Sequence, residues 1–163
     1  MRPLFVDPHR AIQWVFSQNG IFDGYSNTPA SRALNYFTRL FVTQYREDEL
    51  SDLVWALGGI EALLVEGGRS SLGQIREKLS ALLDVETAWL HSMNEQMYGF
   101  RSKTVHGNRQ VRSEFRSAEG TTKGRLEEEY HSTLFAVGIL VLLLQKMMET
   151  GAPAFKFKTV VDR

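Results

Sequence analysis

What most constrains the fold of this chain is a helical period. Apolar side chains recur three and four residues apart along nearly every patterned stretch, the spacing of one buried helix face. A chain of 163 residues written this way is expected to form a single all-α domain, a bundle of about five to six helices. Its divisions are read as an N-terminal helix and loop over residues 1–27, a core bundle over 28–151 and a tail over 152–163.

Start and stop signals place the helices. Asp7-Pro8 supplies a cap and a first-turn proline for a helix over 8–18, with Ile12, Val15 and Phe16 on its buried face and Asn19-Gly20 after it. Thr28-Pro29 opens a second helix that runs to about Tyr45, striped by Ala33, Phe37, Leu40 and Phe41. The acidic Glu47, Asp48 and Glu49 suit the N-terminus of a third. Its Leu50, Leu53, Val54, Leu57, Ile60 and Leu64 face inward until Gly67-Gly68. Ser70 or Ser71 caps a fourth over 72–83, carrying Ile75, Leu79 and Leu82. A fifth, over 85–105, presents Trp89, Leu90, Met93, Met97, Phe100 and Thr104 and stops at Gly107. Periodicity then fails over 108–124, a loop longer than most connections in a compact domain. The last helix runs over 125–149 to Gly151-Ala-Pro153, leaving Phe155, Phe157 and Val160 in an extended tail.

Absences narrow the chemistry. The chain has no Cys, which excludes disulfides, thiolate zinc sites and thiol nucleophiles. His9, His91, His106 and His131 are scattered, with no His-Glu-x2-His among them, and neither a glycine-rich phosphate loop nor a G-x-S-x-G elbow is present. No metal and no cofactor are therefore expected. The longest apolar run, over 134–144, is about half of the roughly 20 residues a bilayer span needs, and reads as a buried core helix. The opening MRPLFVDPHR lacks the apolar segment of a secretory signal. The expectation is a cytoplasmic protein without membrane contact.

The 19 basic and 19 acidic residues cancel, yet they are unevenly placed. Arg101, Lys103, Arg109, Arg112, Arg116, Lys123 and Arg125 face only Glu114 and Glu119 across one segment. A basic helix end with its following loop suits contact with phosphates, or is simply a solvated loop. Inside it, Arg101 lies four residues after Met97 and four before Val105, on the apolar side of its helix, so its guanidinium should be partly enclosed. His106 falls in the last turn, where unpaired carbonyls and the negative end of the helix dipole favour positive charge. Glu61 follows Leu57 by four and precedes Leu64 by three, on a face that should be buried. A carboxylate there needs a partner, and Arg101 is the candidate.

These residues resemble a known family. Phe-Arg101-Ser-Lys-Thr-Val-His106-Gly is similar to the Arg-x4-His signature of the HEPN domains (higher eukaryotes and prokaryotes nucleotide-binding), in the form its Apea-like subgroup uses. The upstream run ending Ile-Glu61-Ala-Leu-Leu is similar to that subgroup's Ala-Leu-Glu-Ala-Leu-like helix. The resemblance spans roughly residues 31–148. It implies a helical bundle that often forms homodimers and, for many members, metal-independent cleavage of RNA in a bacterial defence or toxin role. It carries the catalytic positions over to Arg101 and His106. Members often have Asn, Asp or His directly after the arginine, where this chain has Ser102. The subgroup's domain commonly follows a larger N-terminal region, so a separate sensor or antitoxin protein is an expected partner.

The chemistry asks for the same parts. Metal-free cleavage needs a base for the ribose 2′-OH, an acid for the departing 5′-oxygen and a cation for the phosphorane charge. One chain offers one well-placed histidine, whereas a two-fold dimer offers two of each group. Ser102, Lys103, Asn108, Arg109 and Arg112 would contact the RNA, and Glu61 would support Arg101. A rival reading stays open: a non-catalytic helical module that binds RNA, a nucleotide or a protein through the same basic groove.

Overall fold

The computed structural model describes residues 5–18, 25–42, 49–67, 71–83, 87–106 and 123–157. Among them lie six helices and no strand: α1 (Pro8–Ser17), α2 (Pro29–Val42), α3 (Glu49–Leu64), α4 (Ser71–Leu82), α5 (Thr87–Val105) and α6 (Lys123–Thr150). The chain is thus an all-α bundle over its described residues.

Capping chemistry explains several of the boundaries. Asp7 accepts the Arg10 N–H at 3.0 Å, with Pro8 in the first turn of α1. At the start of α2, the Ser31 N–H donates to Thr28 Oγ1 and the Thr28 N–H donates to Ser31 Oγ, both at 3.1 Å. This is a reciprocal capping box with Ser in the place usually held by Glu or Gln. α6 stops at Gly151, whose φ of 68° lies in the left-handed region, and the Ala152 N–H donates back to the Met147 carbonyl at 3.2 Å. The chain leaving this stop ties down the N-terminal helices. The Trp14 indole donates to the Ala152 carbonyl at 3.2 Å and the Ala30 N–H donates to that of Pro153 at 3.3 Å.

α3 is the centre of the bundle. Its Leu53, Ala56, Leu57, Ile60, Leu63 and Leu64 are all buried, between α2 on one side and α6 on the other. Gly59 permits the close approach of α6, since a Cβ there would lie 2.8 Å from both Leu140 methyl carbons. α4 and α5 pack beside them through Ile75, Leu79, Leu90, Met97 and Phe100. The Gln74 amide holds the turn between α3 and α4, donating to the Glu66 carbonyl at 2.8 Å and accepting its N–H at 2.9 Å. α6 sends Ala136, Ile139, Leu140, Leu143, Leu144 and Met147 into the core. Its stretch Tyr130–Thr150 is, by length and composition, apolar enough to cross a membrane. Polar residues flanking the central apolar run dilute that stretch without interrupting it.

Two expected faces are rotated, and a third gains a polar member. α1 buries Trp14 and leaves Ile12 and Phe16 exposed, because the indole offers more apolar area and also a donor for Ala152. α2 turns Ala30, Ser31, Ala33 and Leu34 inward, which leaves Phe41 in solvent although its ring packs edge-on against Phe37. α5 buries Asn94, a polar residue that an apolar stripe does not predict. The side chains of Leu50, Trp89 and Thr104 lie outside the described set, as do residues 43–48, where α2 was expected to end. In the tail, Phe155 and Phe157 pack partly against the core without helix or strand, and Val160 lies outside the described residues.

Candidate functional site

The C-terminal half of α5 carries the candidate site. Successive turns place Asn94, Tyr98 and Arg101 at i, i+4 and i+7, a polar stripe on an otherwise apolar helix face. α3 lies opposite with Glu61. Arg101 Nη1 donates to Glu61 Oε1 at 2.9 Å and Nη2 to Oε2 at 3.4 Å, the two-pronged geometry that a guanidinium forms with a carboxylate. The Tyr98 hydroxyl donates to Glu61 Oε1 at 3.2 Å, and the Arg101 guanidinium carbon lies 5.9 Å from the Tyr98 ring centroid. The Arg101 and Glu61 side chains keep 34% and 22% of their surface, so the pair is partly enclosed and still open to water on one side.

Electrostatics keep the Tyr98 hydroxyl in one protonation state. Burial, and then the charge of Glu61, push the Tyr98 hydroxyl well above its ordinary range, with Arg101 pulling weakly the other way. Tyr98 therefore stays protonated and donates. Glu61 in turn fixes the plane of the guanidinium, which spends two of its five N–H donors on the carboxylate. Arg101 Nε and both polar atoms of the fully buried Asn94 amide make no hydrogen bond among the described residues.

His106 stands just past the end of α5. Its N–H donates to the Ser102 carbonyl at 3.0 Å, so the helical register continues to it, while its side chain is exposed. In that register five residues turn through about 140°, so Arg101 and His106 leave the helix in different directions. Ser102 and Lys103 are exposed beside it. Asn108, Arg109 and Arg112 lie outside the described residues.

Of the residues named from the sequence, Glu61 and Arg101 are brought together, and Ser102, Lys103 and His106 share the exposed helix end. Tyr98 is a further member of the site, not among those residues. Its spacing, three before Arg101, is the signal that marks it as a neighbour. Tyr130 and His131 are both exposed, their rings 6.0 Å apart. α6 begins at Lys123, so these two fall on an outward face past its second turn, and Ser132 and Thr133 are buried instead. His9 lies on α1 and His91 on α5. Among the described residues no three His, Asp or Glu side chains are grouped to hold a metal ion. Comparisons with protein families, with curated proteins and with solved structures return no significant match to this chain.

Proposed function

We propose that this chain is a metal-independent endoribonuclease of the HEPN type, working as a homodimer that brings two Arg101/His106 helix ends into one cleft. The observation that carries the reading is the combination of an arginine held in a fixed plane by Glu61 and Tyr98 with an exposed histidine five residues on. A positioned guanidinium can stabilise the developing charge of a phosphorane without reorganising, and an exposed imidazole can exchange a proton with RNA. Because the two groups leave one helix in different directions, a second copy is the economical way to face one chain's histidine with another's arginine. His106 of one copy would take the 2′-OH proton and His106 of the other would protonate the leaving 5′-oxygen. Lys103, with Ser102, Asn108, Arg109 and Arg112, would hold the flanking backbone.

One observation favours the rival reading of a binding module. Arg101 already has its charge met by Glu61, so the attraction for phosphate must come from Lys103 and the basic segment that follows. A DNA oligonucleotide carrying a single ribose separates the two. Cleavage by internal attack cuts only on the 3′ side of that ribose and leaves a 2′,3′-cyclic phosphate and a 5′-hydroxyl. Binding without any cut in the ribose oligonucleotide, or in RNA of mixed sequence, makes the binding module the right account.

A further inference from the structure

A polar recess lies on α2 and α3, with no residue of α5 in its lining. It is a pocket of about 230 Å³ walled by Ser26, Arg32, Asn35, Tyr36, Arg39 and Trp55. Arg32, Tyr36 and Arg39 follow one another at i, i+4 and i+7, so one face of α2 presents a phenol between two guanidiniums. Both arginines are exposed, and among the described residues neither is paired with a carboxylate. From α3, Trp55 sets its ring 6.1 Å from that of Tyr36 at an angle of 32°, and the Arg39 guanidinium carbon lies 5.7 Å from the Trp55 ring centroid.

The recess is held in shape. A Cβ at position 58 would come within 2.9 Å of Tyr36 Cε1, so the phenol lies on bare glycine backbone. Asn35 Nδ2 donates to Ser26 Oγ at 3.0 Å and fixes the rim. α2 turns Ala30, Ala33 and Leu34 into the core, and none of the residues lining the recess is among the fully buried ones.

Two aromatic faces beside guanidiniums that no carboxylate pairs with among the described residues suit a ligand that is flat at one end and anionic at the other. Arginine meets phosphate with a planar fork of donors, and heteroaromatic bases stack on Trp and Tyr. Cavities that enclose a drug-sized ligand run to about 300–1,000 Å³, so this smaller one would seat a single ring and its anion with the rest in solvent. We propose that it binds a nucleotide, with the base on Trp55 and Tyr36 and the phosphate on Arg32 and Arg39, either as a free nucleoside 5′-monophosphate or as one unit of an RNA strand. The proposal uses nothing from α5 and stands apart from the cleavage reading.

Calorimetric titration of the full chain with adenosine 5′-monophosphate, adenosine, inorganic phosphate and a short single-stranded RNA tests it. The same titrations are run on Arg32→Gln, Trp55→Leu and Lys156→Gln after each has been shown to melt like the parent. Arg32 is exposed, so Arg32→Gln keeps the test decisive should Trp55→Leu not fold. Arg32→Gln and Trp55→Leu should each weaken binding about tenfold or more, with the exposed Lys156→Gln, outside both sites, unchanged. The monophosphate should bind more tightly than adenosine or phosphate alone if the ligand is a free nucleotide. RNA binding that loses about tenfold in Arg32→Gln, with no response to the monophosphate, assigns the recess to a strand. The proposal is overturned by no binding of either ligand, by phosphate binding as tightly as the monophosphate, or by a folded Arg32→Gln that binds both as the parent does.

Discussion

Glu61 is the side chain on which the Arg101 site turns. It receives both Nη atoms of Arg101 and the hydroxyl of Tyr98, so removing its charge weakens three hydrogen bonds at once. Glu61→Gln should cost about 1–2 kcal/mol in a urea melt, between the 0–1 kcal/mol of an exposed pair and the 3–5 kcal/mol of a broken buried one. An unchanged midpoint would show the pair to be incidental. Tyr98 adds a pH signature. Its native hydroxyl keeps a proton that an unfolded tyrosine releases above a pKa of about 10, so above that pH the unfolded chain binds fewer protons and stability falls. Tyr98→Phe lacks that loss, and the gap in urea midpoint between parent and variant should narrow from pH 8 to pH 11. Parallel curves over that range would contradict the assignment. The Glu61–Arg101 contact was legible in the sequence because a carboxylate and a guanidinium each sat on an apolar stripe. The Tyr98 hydrogen bond was not, since its hydroxyl reaches Glu61 across α3 and α5, and no spacing within one helix encodes that.

At the scale of the helix, close approach decides what spacing alone does not. Gly59 and Gly138 both lie inside helices, where alanine is favoured over glycine by about 1 kcal/mol. A Cβ at Gly59 meets the fully buried Leu140, whereas one at Gly138 meets nothing within 4 Å. Gly59→Ala should therefore destabilise the bundle by about 1–3 kcal/mol and Gly138→Ala should stabilise it by about 0.5–1 kcal/mol, both read as shifts in urea midpoint. Equal shifts would mean that α3 and α6 are less tightly apposed. The same distinction separates what the chain announced from what it did not. Caps at Asp7 and Thr28 and the stop at Gly151 are local chemistry and stand where the residues placed them. The inward faces of α1 and α2 depend on which large side chain finds a partner on another element. Trp14 was chosen over Ile12 and Phe16 by a carbonyl 138 residues away.

Across the whole molecule, the cleavage account requires two copies. A shared site makes the rate per chain fall on dilution through the dimer dissociation constant, while a site complete in one chain gives a rate per chain independent of concentration. Light scattering run beside the assay should show mass doubling over the same range in which activity appears. The most direct measurement of the central claim is cleavage of mixed RNA in EDTA by the parent and by His106→Ala at equal concentration. The account predicts that the parent cuts and that the variant, still folded and still binding RNA, is slower by about 10²-fold or more, the loss expected for a true proton carrier. A His106→Ala protein that cuts as fast as the parent would contradict it.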